Sequence, residues 1–343
     1  MSTPYGSRDW RVYRGVGEPH DGIDRLPAPP PWRAPQGAWP DPPTRGRGAV
    51  YQVTPEIVET VNAALYLRRP LLVTGRPGSG KSSLAYHVAH ELDLGQVLAW
   101  PVTSRSTLRD GLYTYDAIGR LQDASLRAGS SVPRPIPDAD GRYASAPPDP
   151  SAPSAPDIGR YLRLGPLGTA LLPRSQPRVL LIDEIDKSDP DLPNDLLNVF
   201  EEGQFEIPEL ARLDQPEARV EVYDNGPSAR IRQGRVHSDA FPFTVLTSNG
   251  EREFPPAFLR RCLRLDLPQP SGDQLLRIVE AHLGREAVTR GAELIEAFSE
   301  RRDRVQLSTD QLLNAIFLLL NGASAERRER LLDTVLRPLD QGF

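Results

Sequence analysis

The sequence predicts an α/β fold, a doubly wound parallel sheet followed by a small all-α domain. Three observations predict it. Short apolar runs alternate with helical stretches from Leu71 to Leu267. A glycine-rich turn separates the first run from its helix. After Pro268–Gly272 the strand-like runs stop while helical periodicity continues.

Leu71–Thr74 is a short apolar strand bounded by Gly75, and Lys81–Leu92 follows as a helix. Gln96–Val102 is a second strand. Val179–Ile182 is a third, continuous and apolar, as a central parallel strand covered on both faces requires. Leu192–Glu202 is a helix ended by Gly203. Phe243–Thr247 and Cys262–Leu267 are the fourth and fifth strands. A sheet of this kind binds ligands at the carboxyl ends of its strands. Gln274–Leu283, Gly291–Arg302, Ser308–Leu320 and Ala325–Leu336 then read as the helices of the closing domain.

Proline divides the chain further. Residues 1–48 hold ten of the 36 prolines and residues 129–157 hold eight. Such segments bury too little apolar surface to offset their ordering entropy. Residues 1–48, with Trp10, Trp32 and Trp39, are expected to be a largely disordered tail, and 129–157 a disordered loop inserted in a folded domain. The expected organisation is therefore a tail (1–48), a nucleotide-binding α/β domain (49–268) and a helical lid (269–343).

With 343 residues, 25% charged and 38% hydrophobic, the composition is that of a globular protein. A net charge of −5 and the lack of a basic stripe speak against nucleic acid as the main partner. No apolar run reaches the ~18 residues of a membrane helix, and no signal peptide is recognisable at the N-terminus. A cytoplasmic protein without a membrane partner is the expectation. A single cysteine, Cys262, allows neither an intrachain disulfide nor a cysteine metal cage. Only Lys81 and Lys187 are lysines, so a lysine marks a position where arginine was not used.

Lys81 closes the segment GRPGSGKS: Gly75, Arg76, Pro77, Gly78, Ser79, Gly80, Lys81 and Ser82. This matches G-x-x-x-x-G-K-[ST] in full, between a strand and a helix. The glycines let backbone N–H groups turn inward, and the helix N-terminus adds a favourable potential for anions. Lys81 reaches the β- and γ-phosphates, and the Ser82 hydroxyl ligates Mg²⁺. The matching acidic strand is VLLIDEID, Val179–Asp186. Asp183 holds the metal and Glu184 orients and deprotonates water. Asn249, where the fourth strand meets its loop, stands in the right place to help position that water; an Asn-Gly pair is also an ordinary turn. No guanine-reading N-K-x-D occurs, so ATP is preferred to GTP.

These elements in this order resemble the AAA+ ATPases, over roughly residues 50–343 outside the proline-rich stretches. Within that class the chain is similar to the MoxR family. The resemblance rests on IDEIDKSDPDLPNDLLNVFEEGQFEIP (Ile182–Pro208), GPLGTALL (Gly165–Leu172) and TLRDGLYTYDAIGRL (Thr107–Leu121). It implies a hairpin inserted into the second helix, and a further insertion over 207–242 reads as a hairpin before the fourth strand. Residues 75–82 and Asp183 would bind Mg-ATP, Glu184 would be the catalytic acid, and Asn249 the first sensor.

The resemblance also gives the pair Arg260–Arg261 a role. The end of the fourth helix lies away from its own nucleotide and faces the neighbour's γ-phosphate when subunits pack head-to-tail. A closing heterologous contact makes a ring, and the family's usual ring has six members. One of the two arginines, with Arg261 favoured, would be a finger acting in trans. One departure stands out. Where the family's lid helix carries an arginine for the γ-phosphate, LSTDQLL (Leu307–Leu313) carries Asp310; Arg304 lies nearby in sequence. His87 and His90 are three apart on the helix after the phosphate loop and read as helix histidines without a third ligand.

Two functions of different kinds are consistent with this. One is a ring-forming ATPase that remodels or assembles a protein client, a von Willebrand factor A domain protein being the partner the resemblance implies. The other is an ATP-gated assembly switch with incidental hydrolysis, which Asp310 favours. Nucleic-acid remodelling is a third reading, disfavoured by charge.

Overall fold

The computed structural model describes residue 12 and residues 21–30, 51–130, 158–224, 226–302 and 307–321. Trp10, Trp32, Trp39, Arg304, the proposed helix Ala325–Leu336 and most of the two proline-rich segments lie outside them. Within the expected tail, Asp21–Arg25 form a single 3-10 turn.

The chain enters through helix α1 (Pro55–Leu67), whose N-terminus is capped by the Thr54 hydroxyl. Strand β1 (Leu71–Thr74), helix α2 (Lys81–Glu91) and strand β2 (Leu98–Pro101) follow. Next come α3 (Leu108–Leu112), β3 (Tyr113–Tyr115) and α4 (Ala117–Ser130), so the helix extends two residues into the segment read as a loop. The chain returns in β4 (Leu162–Leu164), α5 (Pro166–Ala170), β5 (Val179–Asp183) and α6 (Leu192–Glu202). Strands β3 and β4 pair antiparallel, giving the inserted hairpin.

Residues 204–237 hold more than one hairpin. Strands β6 (Gln204–Glu206), β7 (Glu217–Val220), β8 (Ala229–Arg232) and β9 (Arg235–His237), with a short helix α7 (Pro208–Ala211), make an antiparallel sheet ordered β6-β9-β8-β7. Ala218, Val220, Ile231 and Val236 alternate with charged residues and turn one face inward. The core then continues through β10 (Phe243–Ser248), α8 (Pro256–Arg261) and β11 (Leu263–Asp266). Helices α9 (Gly272–Leu283), α10 (Arg285–Arg302) and α11 (Thr309–Leu320) close the described chain, α10 starting six residues before the expected Gly291. Both α9 and α11 begin with a Ser-x-x-Gln capping box, at Ser271 and Ser308.

The central sheet runs β11-β1-β10-β5-β2 and all its pairs are parallel. Alternate residues face opposite layers. Leu71, Val73, Val179, Leu181 and Val245 pack under α1 and α2. Leu72, Leu180, Ile182 and Leu246 pack under α5, α6, α8 and the inserted sheet. The helical region has its own core, around Leu275, Val279, Phe298 and Leu312. This is the α/β sheet with a helical C-terminal region that the sequence predicts. Among the described residues no helix is long and apolar enough to cross a membrane.

Cys262 caps α8 and is buried, and burial pushes its thiol up to about 12. At pH 8 roughly one such thiol in 10⁴ is ionised. The native protein is therefore expected to resist iodoacetamide at pH 8 and to label stoichiometrically in urea. Native labelling at the rate of a free thiol would show that α8 is not seated against the core.

Candidate functional site

The site lies where β1, β10 and β5 end together. Their parallel register aligns Thr74 with Ser248, and Leu246 with Ile182, so the three following turns converge. The turn after β1 is the glycine loop. Gly75 has φ +149 and Gly78 φ +77, conformations that L side chains rarely adopt. A Cβ would also stand 2.6 Å from the Leu267 carbonyl at Gly75 and 2.8 Å from the Thr309 nitrogen at Gly78. Both constraints exclude any other residue at these two positions.

Lys81 opens α2 and is buried. Its ammonium donates to the carbonyls of Gly75 (2.8 Å) and Arg76 (3.0 Å) and to Asn249 Oδ1 (2.8 Å). Burial lowers its pKa, and the charges of Asp186, Asp183 and Glu184 act the other way. The next residue, Ser82, donates to Asp183 Oδ1 at 2.7 Å. The same oxygen accepts from Thr247 Oγ1 at 2.6 Å, and Thr247 Oγ1 in turn accepts from the Glu184 N–H at 2.9 Å. Thr247 thus ties the end of β10 to both acids at the end of β5.

Glu184 is a non-glycine residue in the left-handed region, φ 60 and ψ 49. Such a conformation costs of order 1–3 kcal/mol and is held only where the surroundings over-determine it. Here the Thr247 bond and the following 3-10 turn, Ile185–Lys187, do so. Its carboxylate pairs with Lys187 at 2.7 Å, and that bond raises the lysine's pKa. Beside them is an open cleft of about 560 Å³ lined by Thr103, Ser104, Glu184, Asp186, Lys187 and Arg252 among others.

The remaining residues of the loop fall in place around this core. Arg76 contributes its carbonyl to Lys81, and Pro77, Ser79 and Gly80 complete the turn into α2. Tyr51 lies against Gly80 and packs tilted on His87, with ring centroids 5.5 Å apart. His87 also meets Glu91 at 3.2 Å. No cluster of three or more metal-ligating side chains occurs among the described residues. The donor set at the loop fits a magnesium nucleotide: backbone turned into a cradle that a Cβ would fill, a buried ammonium, and a hydroxyl paired with a carboxylate.

Residues 70–262 match the family model of the AAA domain, dynein-related subfamily. The chain belongs to the AAA family. It is also 26% identical, over 247 residues, to a protein named gas vesicle ATPase GvpN1 from Halobacterium salinarum. That match takes in 70% of this chain and spans 58% of the relative's length.

In this AAA protein the two arginines lie far from the chain's own phosphate loop. They end α8, and β11 starts beside Leu71 at the opposite end of the sheet from Gly75. Four strand residues, ~13 Å, intervene. Arg69 holds this end by donating to the backbone carbonyls of Arg260 and Arg261. The Arg261 guanidinium is paired with Glu201 of its own chain. That of Arg260 is exposed and has no ion pair among the described residues.

The lid meets the loop through Thr309, whose hydroxyl donates to the Gly78 carbonyl at 3.0 Å. Asp310, one residue on, is exposed, and its charge acts on His282, whose pKa burial lowers. Three site residues escaped the sequence reading: Thr247, Thr309 and Asp186. Asp186 carried the only signal, a third carboxylate in IDEID.

Thr247 is buried, and its hydroxyl both donates and accepts within the site. Thr247→Val is expected to destabilise the chain by about 1–3 kcal/mol in urea, because it strands the Glu184 N–H and removes a partner from Asp183. Thr247→Ser should recover most of the loss. Equal stability of the valine variant and wild type would contradict the clasp.

Proposed function

We propose that this chain is a MoxR-like AAA+ ATPase that binds Mg-ATP in residues 75–82, hydrolyses it, and assembles with further copies to remodel or assemble a protein client. The observation that carries the reading is the convergence of Lys81, Ser82, Asp183, Glu184 and Asn249 at three adjacent strand ends. The family match and the similarity to a protein named as an ATPase support it.

When bound, magnesium would neutralise charge on the β- and γ-phosphate oxygens. Ser82 and Asp183 would hold it. Lys81 would exchange its loop carbonyls for phosphate oxygens, which compensates the desolvation it now suffers. Glu184 would take the proton of the attacking water, and for that its carboxylate must turn from Lys187. Asn249, bonded to Lys81, would fix the water's far side.

A further cation is needed beside the oxygens of the transferred phosphoryl group, where charge develops in the transition state. Arg260 is the better source than Arg261, because Arg261 is already neutralised by Glu201. Its place at the far end of the sheet makes a neighbouring copy the recipient, and closure of that contact gives a ring. Six copies, a cytoplasmic setting and a client with a von Willebrand factor A domain complete the proposal.

The ATP-gated switch keeps two points of its own: Glu184 is engaged by Lys187, and Asp310 stands in the sequence where the MoxR resemblance expects an arginine. Steady-state turnover separates the two. In a hydrolysing machine, Glu184→Gln should lower kcat by about 10²–10⁴ while ATP binding persists. Unchanged turnover in that variant leaves only the switch.

Arg260→Ala should cut turnover of the assembled protein by roughly 10³ or more without loss of nucleotide affinity. Arg261→Ala should act mainly on stability. Mixing Arg260→Ala with Glu184→Gln subunits tests the shared site: activity recovered in the mixture requires a finger given in trans. A mixture as inactive as its two components, or full activity of Arg260→Ala alone, removes the assignment.

A further inference from the structure

The sheet's acid end holds a third carboxylate, which the reaction as described leaves unused. Asp186 sits in the 3-10 turn after β5 and is only 3% exposed. Its Oδ2 accepts two backbone N–H groups from the turn after β10, those of Asn249 (2.9 Å) and Glu251 (3.1 Å). Arg252 closes the same turn from the other side by donating to the Ser188 carbonyl at 2.7 Å. Residues 249–252 are thus fastened at both ends to residues 186–188.

The arrangement is costly for its stability value. Asp186 Oδ1 is buried with no hydrogen-bond partner among the described residues. An unsatisfied buried polar atom costs about 1–3 kcal/mol, more when charged. Two backbone N–H groups at a strand end could be satisfied by water without burying a side chain. What the carboxylate adds is placement. With its own N–H pinned, Asn249 presents Oδ1 to Lys81 Nζ at 2.8 Å. Of the three carboxylates whose charge opposes the lowering of the Lys81 pKa by burial, Asp186 acts most strongly.

We propose that Asp186 is a positioning residue for ATP hydrolysis, which fixes the Asn249 side chain against Lys81 by binding the backbone of the turn that carries it. The proposal rests on the reading of Asn249 as a reaction-site residue. Asp186 itself touches no reacting atom. Its effect passes through Asn249, and the two residues must therefore be coupled.

The test is a double-mutant cycle in the full-length chain, with Asp186→Ala, Asp186→Asn, Asn249→Ala and the double variant Asp186→Ala/Asn249→Ala. For each, kcat and KM for ATP, affinity for a fluorescent ATP analogue and the melting temperature are measured. Asp186→Ala is expected to lower kcat at least tenfold with analogue affinity within about threefold of wild type. Asp186→Asn keeps a carbonyl oxygen able to accept both N–H groups and is expected to hold kcat within about threefold. In the Asn249→Ala background the Asp186→Ala change should alter kcat less than twofold.

Three results overturn the proposal: full kcat in Asp186→Ala; an equal kcat loss from it with and without Asn249; or a loss above tenfold in a folded Asp186→Asn. The third of these is decisive even if Asp186→Ala does not fold. A fully active Asn249→Ala is a different failure. It removes the role of Asn249 itself, and the proposal with it.

Discussion

One carboxylate oxygen, Asp183 Oδ1, accepts a hydroxyl from each side, Ser82 at 2.7 Å and Thr247 at 2.6 Å. Three elements that are remote in sequence meet at that atom: the helix after the phosphate loop, the acidic strand, and the strand that precedes Asn249. A charge-assisted hydrogen bond contributes more than a neutral one, and here two share an acceptor. The consequence is geometric as much as energetic. With Ser82 fixed, α2 cannot rotate about the loop. With Thr247 fixed, the Glu184 N–H has its acceptor and Glu184 its left-handed conformation.

That clasp works because the sheet is parallel and in register. Parallel strands put all their carboxyl ends on one edge, so residues from β1, β5 and β10 can face one ligand. The same geometry excludes the arginines. They precede β11 and therefore belong to the opposite edge. No rotamer of Arg260 spans the length of the strand back to its own loop. The site's acids and its lysine thus gather at one edge of the sheet, and an exposed guanidinium stands at the other.

The core was legible because periodicity and motif agreed. Val179–Ile182 reads as a buried strand and is one, and GRPGSGKS is recognisable because its glycines answer a steric need that few sequences meet by chance. The inserted sheet was not legible as four strands. Its strands are three or four residues long, and alternation over so few positions barely differs from a charged loop. Thr247 could not be found either, since a β-branched residue in an apolar strand already has a reason to be there. Thr309 gave no signal beside the charge at 310, because a threonine at a helix start already serves local capping. Yet the residue that touches the loop is this neutral neighbour, at the N-terminal end of α11.

The inserted sheet is also no pendant. Arg178, the residue before β5, pairs with Asp224 at 2.7 Å, and both side chains are largely buried. Tyr223 donates its hydroxyl to the Ala99 carbonyl in β2, and its N–H bonds to Thr169 of α5. A buried pair of this kind is a weak source of net stability, yet breaking it by removing one partner strands the other and costs about 3–5 kcal/mol. The β7–β8 connection therefore cannot lift away alone. Displacing that connection must move Arg178 or break the pair, and Arg178 immediately precedes β5, which ends at Asp183. β5 is five residues long and paired on both sides, so its two ends are ~17 Å apart. The inserted sheet and the phosphate loop thus meet opposite ends of one strand.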